Sequence, residues 1–208
     1  MAIRASRLSE EESIASGLHC YYGPAEWISS RVHTAGKVEF KFGLIEIRAK
    51  MPKGVGTWPA LWMLGAKIHS DTPWPECGEI DILENTGAHP NRVQGTLHGP
   101  SYFAENGITS IIEVENPLSE AFHTYSIDWR EDSIEWFFDG NSYHRVERKE
   151  IEKKGFTWPF NQEFFLLVNL AIGGGFAGQV DPNLKDATLE LEWIRHYSID
   201  GIGEVRNY

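Results

Sequence analysis

Gly78-Glu79-Ile80-Asp81-Ile82-Leu83-Glu84 sets three acids among aliphatic residues, and its parity decides how the chain folds around it. On a strand, alternate side chains share a face. Glu79 and Asp81 therefore point one way while Ile80 and Ile82 point the other. Acids alternating with isoleucine suit any sheet with one wet face. Glu84 breaks the rule, because an offset of five places it with the isoleucines, facing the core. A buried, unpaired carboxylate costs several kcal/mol or takes up a proton. One inserted residue resolves the conflict: a β-bulge between Ile82 and Glu84 returns Glu84 to the face of Glu79 and Asp81. Three carboxylates then converge on one side of a strand.

Short β patterns surround this stretch. Residues 2–8 read as a strand, 9–24 as a polar loop, and 27–33 alternate again. Residues 37–51 form the longest pattern, with Phe40 and Phe42, then Gly43, then an alternating half with one wet face. After a glycine-containing loop comes Trp58-Pro59-Ala60-Leu61-Trp62-Met63-Leu64. A Pro-rich loop, 69–77, leads into the acid strand. Strands are expected over 92–98, 108–115, 122–130, 133–138, 163–172 and 188–198. Asp139-Gly140-Asn141 is a tight-turn signal, and Gly173-Gly174-Gly175 ends the apolar run before it. The one helix expected is short, around 149–154. About a dozen short strands with turns between them give an all-β, antiparallel sandwich of two sheets. No repeat or linker divides the chain, so a single domain over 1–208 is expected.

The chain has 208 residues and a formal net charge of −11, which works against nucleic acid, anionic membranes and polyanionic substrates as partners. No segment has the length of a membrane span, and the first residues lack the apolar run of a signal peptide. Cys20 and Cys77 make neither a disulfide framework nor a zinc pattern; two reduced thiols are the simplest reading. Eight tryptophans are many for this length.

Several of those tryptophans stand near the acids. Trp58, Ala60, Trp62 and Leu64 share one face of their strand, and Trp74 lies just ahead of the acid strand. Aromatic rings on an open sheet face call for a cover. The C–H face of a pyranose packs on such a ring while its hydroxyls pair with polar groups at the rim. A glycan-cleaving cleft and a tryptophan-cored sandwich with an acidic surface both fit these residues.

The run WPECGEIDILE at 74–84, with GTWPALWML upstream and GTLHGP downstream, resembles glycoside hydrolase family 16, in its laminarinase-like endo-β-1,3-glucanase branch. Glu-x-Asp-x-x-Glu marks the bulged branch of that family, and Leu83 is the extra residue. Further matches are SSRVHT at 29–34, the strand pair at 37–50, HTYSIDWREDSIEWFFDG at 123–140, FFLLVNLAIGG at 164–174 and LEWIRHY at 191–197. The resemblance implies a jelly-roll, concanavalin-like sandwich with a concave substrate cleft. It implies Glu79 as nucleophile, Asp81 as its assistant and Glu84 as acid/base. Retaining glycosidases need two carboxyls about 5–5.5 Å apart, one ionised and one protonated. His98 is implied to lie beside the acid/base residue, with a surface histidine as the alternative. Arg31 is implied as a substrate contact, with a rim salt bridge equally open. Asn169, the lone polar residue of an apolar run, serves either a core hydrogen bond or the substrate. Trp62 and Trp74 are candidate stacking platforms. Trp58 is a third, or else a plug at the edge of the core.

The resemblance spans roughly residues 26–198. Family members normally carry several dozen residues before the strand that here reads AIRASRL. Those residues supply outer strands, one wall of the cleft and part of a structural calcium site. A shortened N-terminal region and exposed sheet edges are therefore expected, with pairing into a dimer as one way to cover them. Glu192 stands where the family carries a calcium-binding acid, but a hard cation needs six or more oxygens, so no cofactor is expected to be required. Phe176 stands where many relatives have tryptophan. The resemblance implies retaining endo-hydrolysis of a neutral, laminarin-like β-1,3-glucan by a secreted protein. Mixed-linkage β-1,3-1,4-glucan is the nearest rival substrate. Agarase or carrageenase activity is more distant, since the negative charge opposes sulfated chains. A glucan-binding module without turnover is the rival from another class.

Overall fold

The computed structural model describes residues 1–20 and 23–208. The part of the expected 9–24 loop at Tyr21 and Tyr22 lies outside the described residues. Along the chain the strands are β1 (Ala2–Arg7), β2 (His19–Cys20), β3 (Gly23–Pro24), β4 (Trp27–Ile28), β5 (Arg31–His33), β6 (Val38–Lys41), β7 (Gly43–Lys50), β8 (Thr57–Gly65), β9 (Glu79–Thr86), β10 (His89–His98), β11 (Ile108–Glu113), β12 (His123–Trp129), β13 (Ser133–Phe138), β14 (Asn141–Glu147), β15 (Phe164–Ile172), β16 (Asp186–Tyr197) and β17 (Glu204–Asn207). The helices are α1 (Glu10–Ser16), α2 (Arg148–Lys153) and α3 (Gly174–Ala177).

The strands form the two-sheet sandwich that their alternation implies. The outer sheet runs β14-β13-β12-β7-β16-β1-β4. The facing sheet runs β11-β10-β9-β8-β15-β6-β17, with β5 beside β15. Pairing is antiparallel along both. Ile45, Ile47 and Ala49 of β7 and Tyr125, Ile127 and Trp129 of β12 face Leu61 and Met63 of β8 and Leu166, Val168 and Leu170 of β15, all buried. Each such aliphatic side chain contributes on the order of 1.5–3 kcal/mol. β15 also buries Phe165 and Leu167 on its other face, beneath Trp62 and Ile68. Burial on both faces explains why its sequence is apolar almost without alternation.

Two expected strands are split between the sheets. The 37–51 pattern breaks at Phe42 (φ 61°) and Gly43 (φ 94°), leaving β6 in the facing sheet and β7 in the outer one. A Cβ on Gly43 would stand 2.5 Å from the Tyr197 carbonyl oxygen, so the corner requires glycine. The 27–33 segment divides in the same way into β4 and β5.

The expected loop at 9–24 contains α1. Ser9 Oγ accepts from the Glu12 N–H, and the Glu12 carboxylate accepts from the Ser9 N–H, with Gly17 closing the other end at φ 64°. No residue of α1 is buried, so no apolar period announced it; the Ser-x-x-Glu capping box was its local sign. The glycine run at 173–175 leads into the single turn of α3. Cys20 is exposed and Cys77 buried, both as free thiols. Among the described residues no helix is long and apolar enough to cross a membrane.

The last residues supply an edge. β17 lies antiparallel along β6, Glu204 opposite Lys41 and Asn207 opposite Val38. Tyr208 Oη donates to the buried Glu39 carboxylate at 2.7 Å, and Arg206 pairs with Glu163 at 3.1 Å. Replacing Tyr208 with Phe leaves that acid without its donor. A loss of about 1–2 kcal/mol is expected, seen as a melting temperature lower by roughly 3–6 °C. An unchanged melting temperature would show that the tail is not anchored there.

Candidate active site

In the facing sheet β9 lies between β8 and β10. Its register shows the bulge. On β8, Ala60 pairs with Glu84, Leu61 with Leu83 and Trp62 with Asp81. On β10, Gln94 pairs with Glu84 and Thr96 with Asp81. Ile82 and Leu83 together oppose a single position, so the extra residue falls at Ile82–Leu83 within the expected stretch. Both side chains enter the core, at 1% and 0% exposure, and this frees Glu84 to share a face with Glu79 and Asp81.

The three acids line an open cleft of about 260 Å³ with Trp58, Ala60, Trp62, Asn169 and Ala171. Each outer glutamate takes an indole N–H. Trp74 Nε1 donates to Glu79 Oε2 at 2.8 Å, and Trp58 Nε1 donates to Glu84 Oε1 at 3.0 Å. Gln94 adds a longer contact to Glu84 Oε2, 3.4 Å. Asp81 lies deepest, at 2% exposure. His98 Nε2 stands 3.1 Å from its Oδ2 but off the line of a hydrogen bond, so that oxygen lacks an aligned donor.

Burial dominates the electrostatics. Burial first, then the charge of Asp81, pushes Glu79 up to about 8, against the opposing pull of His98 and the Trp74 N–H. Asp81 is raised well above the ordinary aspartate range, by burial and then by the Glu84 charge. Glu84 is raised by burial, opposed by Trp58, His98 and Gln94. Near neutral pH the trio therefore holds protons that isolated carboxyls would have lost. Asp81, the most enclosed of the three, is the one whose charged form burial opposes most directly. The Trp74 N–H on Glu79 Oε2 opposes that rise and favours the ionised form of Glu79.

The remaining candidates fall into three groups. Trp58 is no core plug: its ring lies half-buried in the cleft, 5.0 Å from Phe176. Trp62 lies on the cleft floor and donates from Nε1 to Asn169 Oδ1 at 2.7 Å. Asn169 thus serves a hydrogen bond and faces the cleft at once. Trp74 is 39% exposed and meets Phe103 edge-on at 5.4 Å, forming a wall. His98 is buried rather than on the surface. It sits beside Asp81, and 3.9 Å from Glu79, while the positions expected for it next to Glu84 belong to Trp58 and Gln94. Arg31 lies apart from the acids. It pairs in register with Asn169 and lines an adjoining hollow with Ser29, Ser30 and Ala171. No rim salt bridge holds it among the described residues.

Two functional residues had weaker signals. Trp136, on β13 of the outer sheet, donates from Nε1 to the Asp81 carbonyl oxygen at 2.8 Å. Gly95 interrupts the inward row Val93–Leu97, and an isolated glycine in a strand is the readable sign of a close approach.

Glu79, Asp81 and His98 bring one donor atom each within 4.8 Å of one another, the one such group of three among the described residues. Three donors fall short of a hard-cation shell. Glu192, the calcium candidate, accepts from Arg48 Nε at 2.7 Å, and a guanidinium so close opposes a cation there.

Residues 7–195 match the family model for glycosyl hydrolases family 16. The chain belongs to that family. It is similar to a beta-glucanase of Rhodothermus marinus, 37% identical over 202 residues, covering 94% of this chain and 71% of that protein. It is also similar to glucan endo-1,3-beta-glucosidase A1 of Niallia circulans, at 36% identity over 83% of this chain; the chain spans only 26% of that protein's length. The laminarinase catalytic domain of Thermotoga maritima superposes with a TM-score of 0.87 at 40% identity, over 95% of this chain and 77% of the other.

Removing the Trp74 N–H removes a donor that favours ionised Glu79. In Trp74→Phe the Glu79 carboxyl, followed by carbon-13 NMR, is expected to titrate about half to one pH unit higher. A shift downward, or none, would mean that the indole does not set its ionisation.

Proposed function

We propose that this glycosyl hydrolase cleaves internal β-1,3 linkages of a neutral, laminarin-like glucan with retention of configuration. One observation carries the reading: the bulged β9 sets Glu79, Asp81 and Glu84 abreast on the floor of an open cleft, with tryptophans at both ends of the row.

The roles follow from the environments. Asp81 lends its proton to one Glu79 oxygen as a hydrogen bond, which leaves Glu79 as the carboxylate. Glu79 attacks the anomeric carbon while Glu84 transfers its proton to the glycosidic oxygen, and the bond to the leaving sugar breaks. Water then gives a proton to Glu84 and its oxygen to the anomeric carbon, and Glu79 departs with the electron pair of its ester bond. Proton, oxygen and electron pair all return to their starting balance, so no cofactor enters. The Trp74 N–H holds the Glu79 carboxylate and the Trp58 N–H holds the Glu84 carboxylic acid, keeping both aimed at the sugar between them. Trp62 offers its ring to a pyranose face, and Arg31 with Asn169 extends the polar lining beyond it. A cleft open along the sheet admits the middle of a chain rather than only its end. A net charge of −11 repels sulfated glycans but not neutral ones. A polymer of this kind is met outside the cell, so an extracellular place of action goes with the reading.

Hydrolysis of laminarin followed by proton NMR should show the β-anomer first; an α-anomer first would end the retaining assignment. Glu79→Gln and Glu84→Gln should each lower kcat by at least about a hundredfold on unactivated glucan. Faster turnover of barley mixed-linkage glucan than of laminarin would replace the substrate reading and keep the mechanism. Binding of laminarin without any product would identify a glucan-binding domain instead.

A further inference from the structure

We infer that Trp136 is a positioning residue for the carboxylate cluster, its indole reaching across the interior from the outer sheet to hold the bulge on which the three acids stand. The inference rests on the reading of the cleft as a retaining glycosidase site.

In a regular antiparallel strand the neighbouring strands take every carbonyl. At Ile82–Leu83 the ladder is broken on both sides, because two residues of β9 oppose one on β8 and one on β10. The Asp81 carbonyl, at the head of that break, accepts from Trp136 Nε1 at 2.8 Å, with both groups buried. Trp136 belongs to β13, in the other sheet. This carbonyl is therefore turned inward, into the core, where the indole N–H satisfies a group that would otherwise be buried without a partner.

The space for this contact is built in. Gly95 of β10 occupies a position whose side chain would point inward with Val93 and Leu97. A Cβ there would stand 2.6 Å from Trp136 Cδ1, 2.8 Å from its Nε1 and 2.8 Å from Tyr143 Oη. The His144 ring lies against the same indole, 4.7 Å between centroids. Trp136 is thus wedged between β10 and β14 and aimed at one atom. That atom belongs to the residue whose carboxyl faces Glu79 and lies 3.1 Å from His98. If the carbonyl swings back toward the ladder, the Asp81 side chain moves with it, and a misplacement of about 1 Å near reacting groups can cost about a hundredfold in rate.

The test compares Trp136→Phe, which keeps a ring and loses the donor, with Gly95→Ala, which pushes the indole away. Each is expected to lower kcat on laminarin roughly ten- to a hundredfold while KM stays within about twofold. The groups that set the pH profile are Glu79, Asp81 and Glu84 of β9, His98 of β10 and the Trp58 and Trp74 N–H donors. A loosened Asp81 proton no longer steadies ionised Glu79, so Glu79 titrates higher and the acid limb of kcat moves to higher pH in both variants. Both substitutions act by removing the same indole N–H contact with the Asp81 carbonyl, so in the double variant the two losses should not multiply. Full multiplication, or a wild-type kcat and pH profile in folded Trp136→Phe, would overturn the proposal. So would a fall in activity that follows only the folded fraction measured by circular dichroism. Should the variants not fold, the wild-type protein still decides: the Trp136 indole nitrogen-15 resonance should titrate with the carboxyl cluster, and one that stays constant through that range overturns the inference. Wild-type turnover of laminarin tests the glycosidase reading separately, and the NMR titration needs no turnover.

Discussion

A single extra residue in β9 is the constraint on which the site depends. With period-2 alternation intact, Glu84 would face the core with Ile80 and Ile82, and the cost of a buried charge would fall on the fold. The bulge at Ile82–Leu83 reverses the parity once and sends both aliphatic side chains inward. The same event that fills the core therefore also completes the acid row. Fold and site are not two layers of design here but two faces of one register shift.

A bulge removes ladder hydrogen bonds, and the backbone groups it frees must be satisfied elsewhere. The outer sheet answers with Trp136, and the cleft answers for the side chains with Trp58 and Trp74. The use of indoles at all three places has a physical reason. An indole offers one donor and no acceptor, so it stabilises a carboxylate or carbonyl without presenting an oxygen of its own. Its ring also keeps water away from the group it serves. Lysine or arginine beside Glu84 would hold it ionised. Neutral donors leave the protonation of the row to burial and to the acids themselves.

Much of this was legible in the chain. The offset of five between Glu79 and Glu84 by itself requires a bulge. The spacing of Trp58, Ala60 and Trp62 put two indoles on the acid face. What the sequence did not show are contacts between residues distant along the chain. Trp136 and Asp81 are separated by 55 positions and by the whole interior, and no local periodicity encodes which inward indole finds which carbonyl. Alternation puts His98 on the acid face, but only the register, His98 opposite Glu79 and Gln94 opposite Glu84, decides that it meets Asp81. That register is set by where the bulge falls on the β10 side. The corner at Phe42–Gly43 was hidden because both halves alternate well, and alternation does not say which sheet a strand joins. α1 was hidden for the opposite reason: with no buried face it has no period to read, only its caps.

The acid row also works against the stability of the sheet that carries it. In an unfolded chain Glu79 ionises at the ordinary glutamate value, whereas in the cleft it does so near 8. Between those two values the unfolded chain binds fewer protons than the folded one, so rising pH favours unfolding through this group. The sheet must hold the acids together against that tendency. It does so with Ile80, Ile82 and Leu83 buried on the opposite side of β9 and with β8 and β10 paired along both edges. A cluster on a loop would relieve its repulsion by moving apart. On a central strand pinned from behind by Trp136, the carboxyls relieve it by keeping protons, and a kept proton is what an acid catalyst must have at neutral pH.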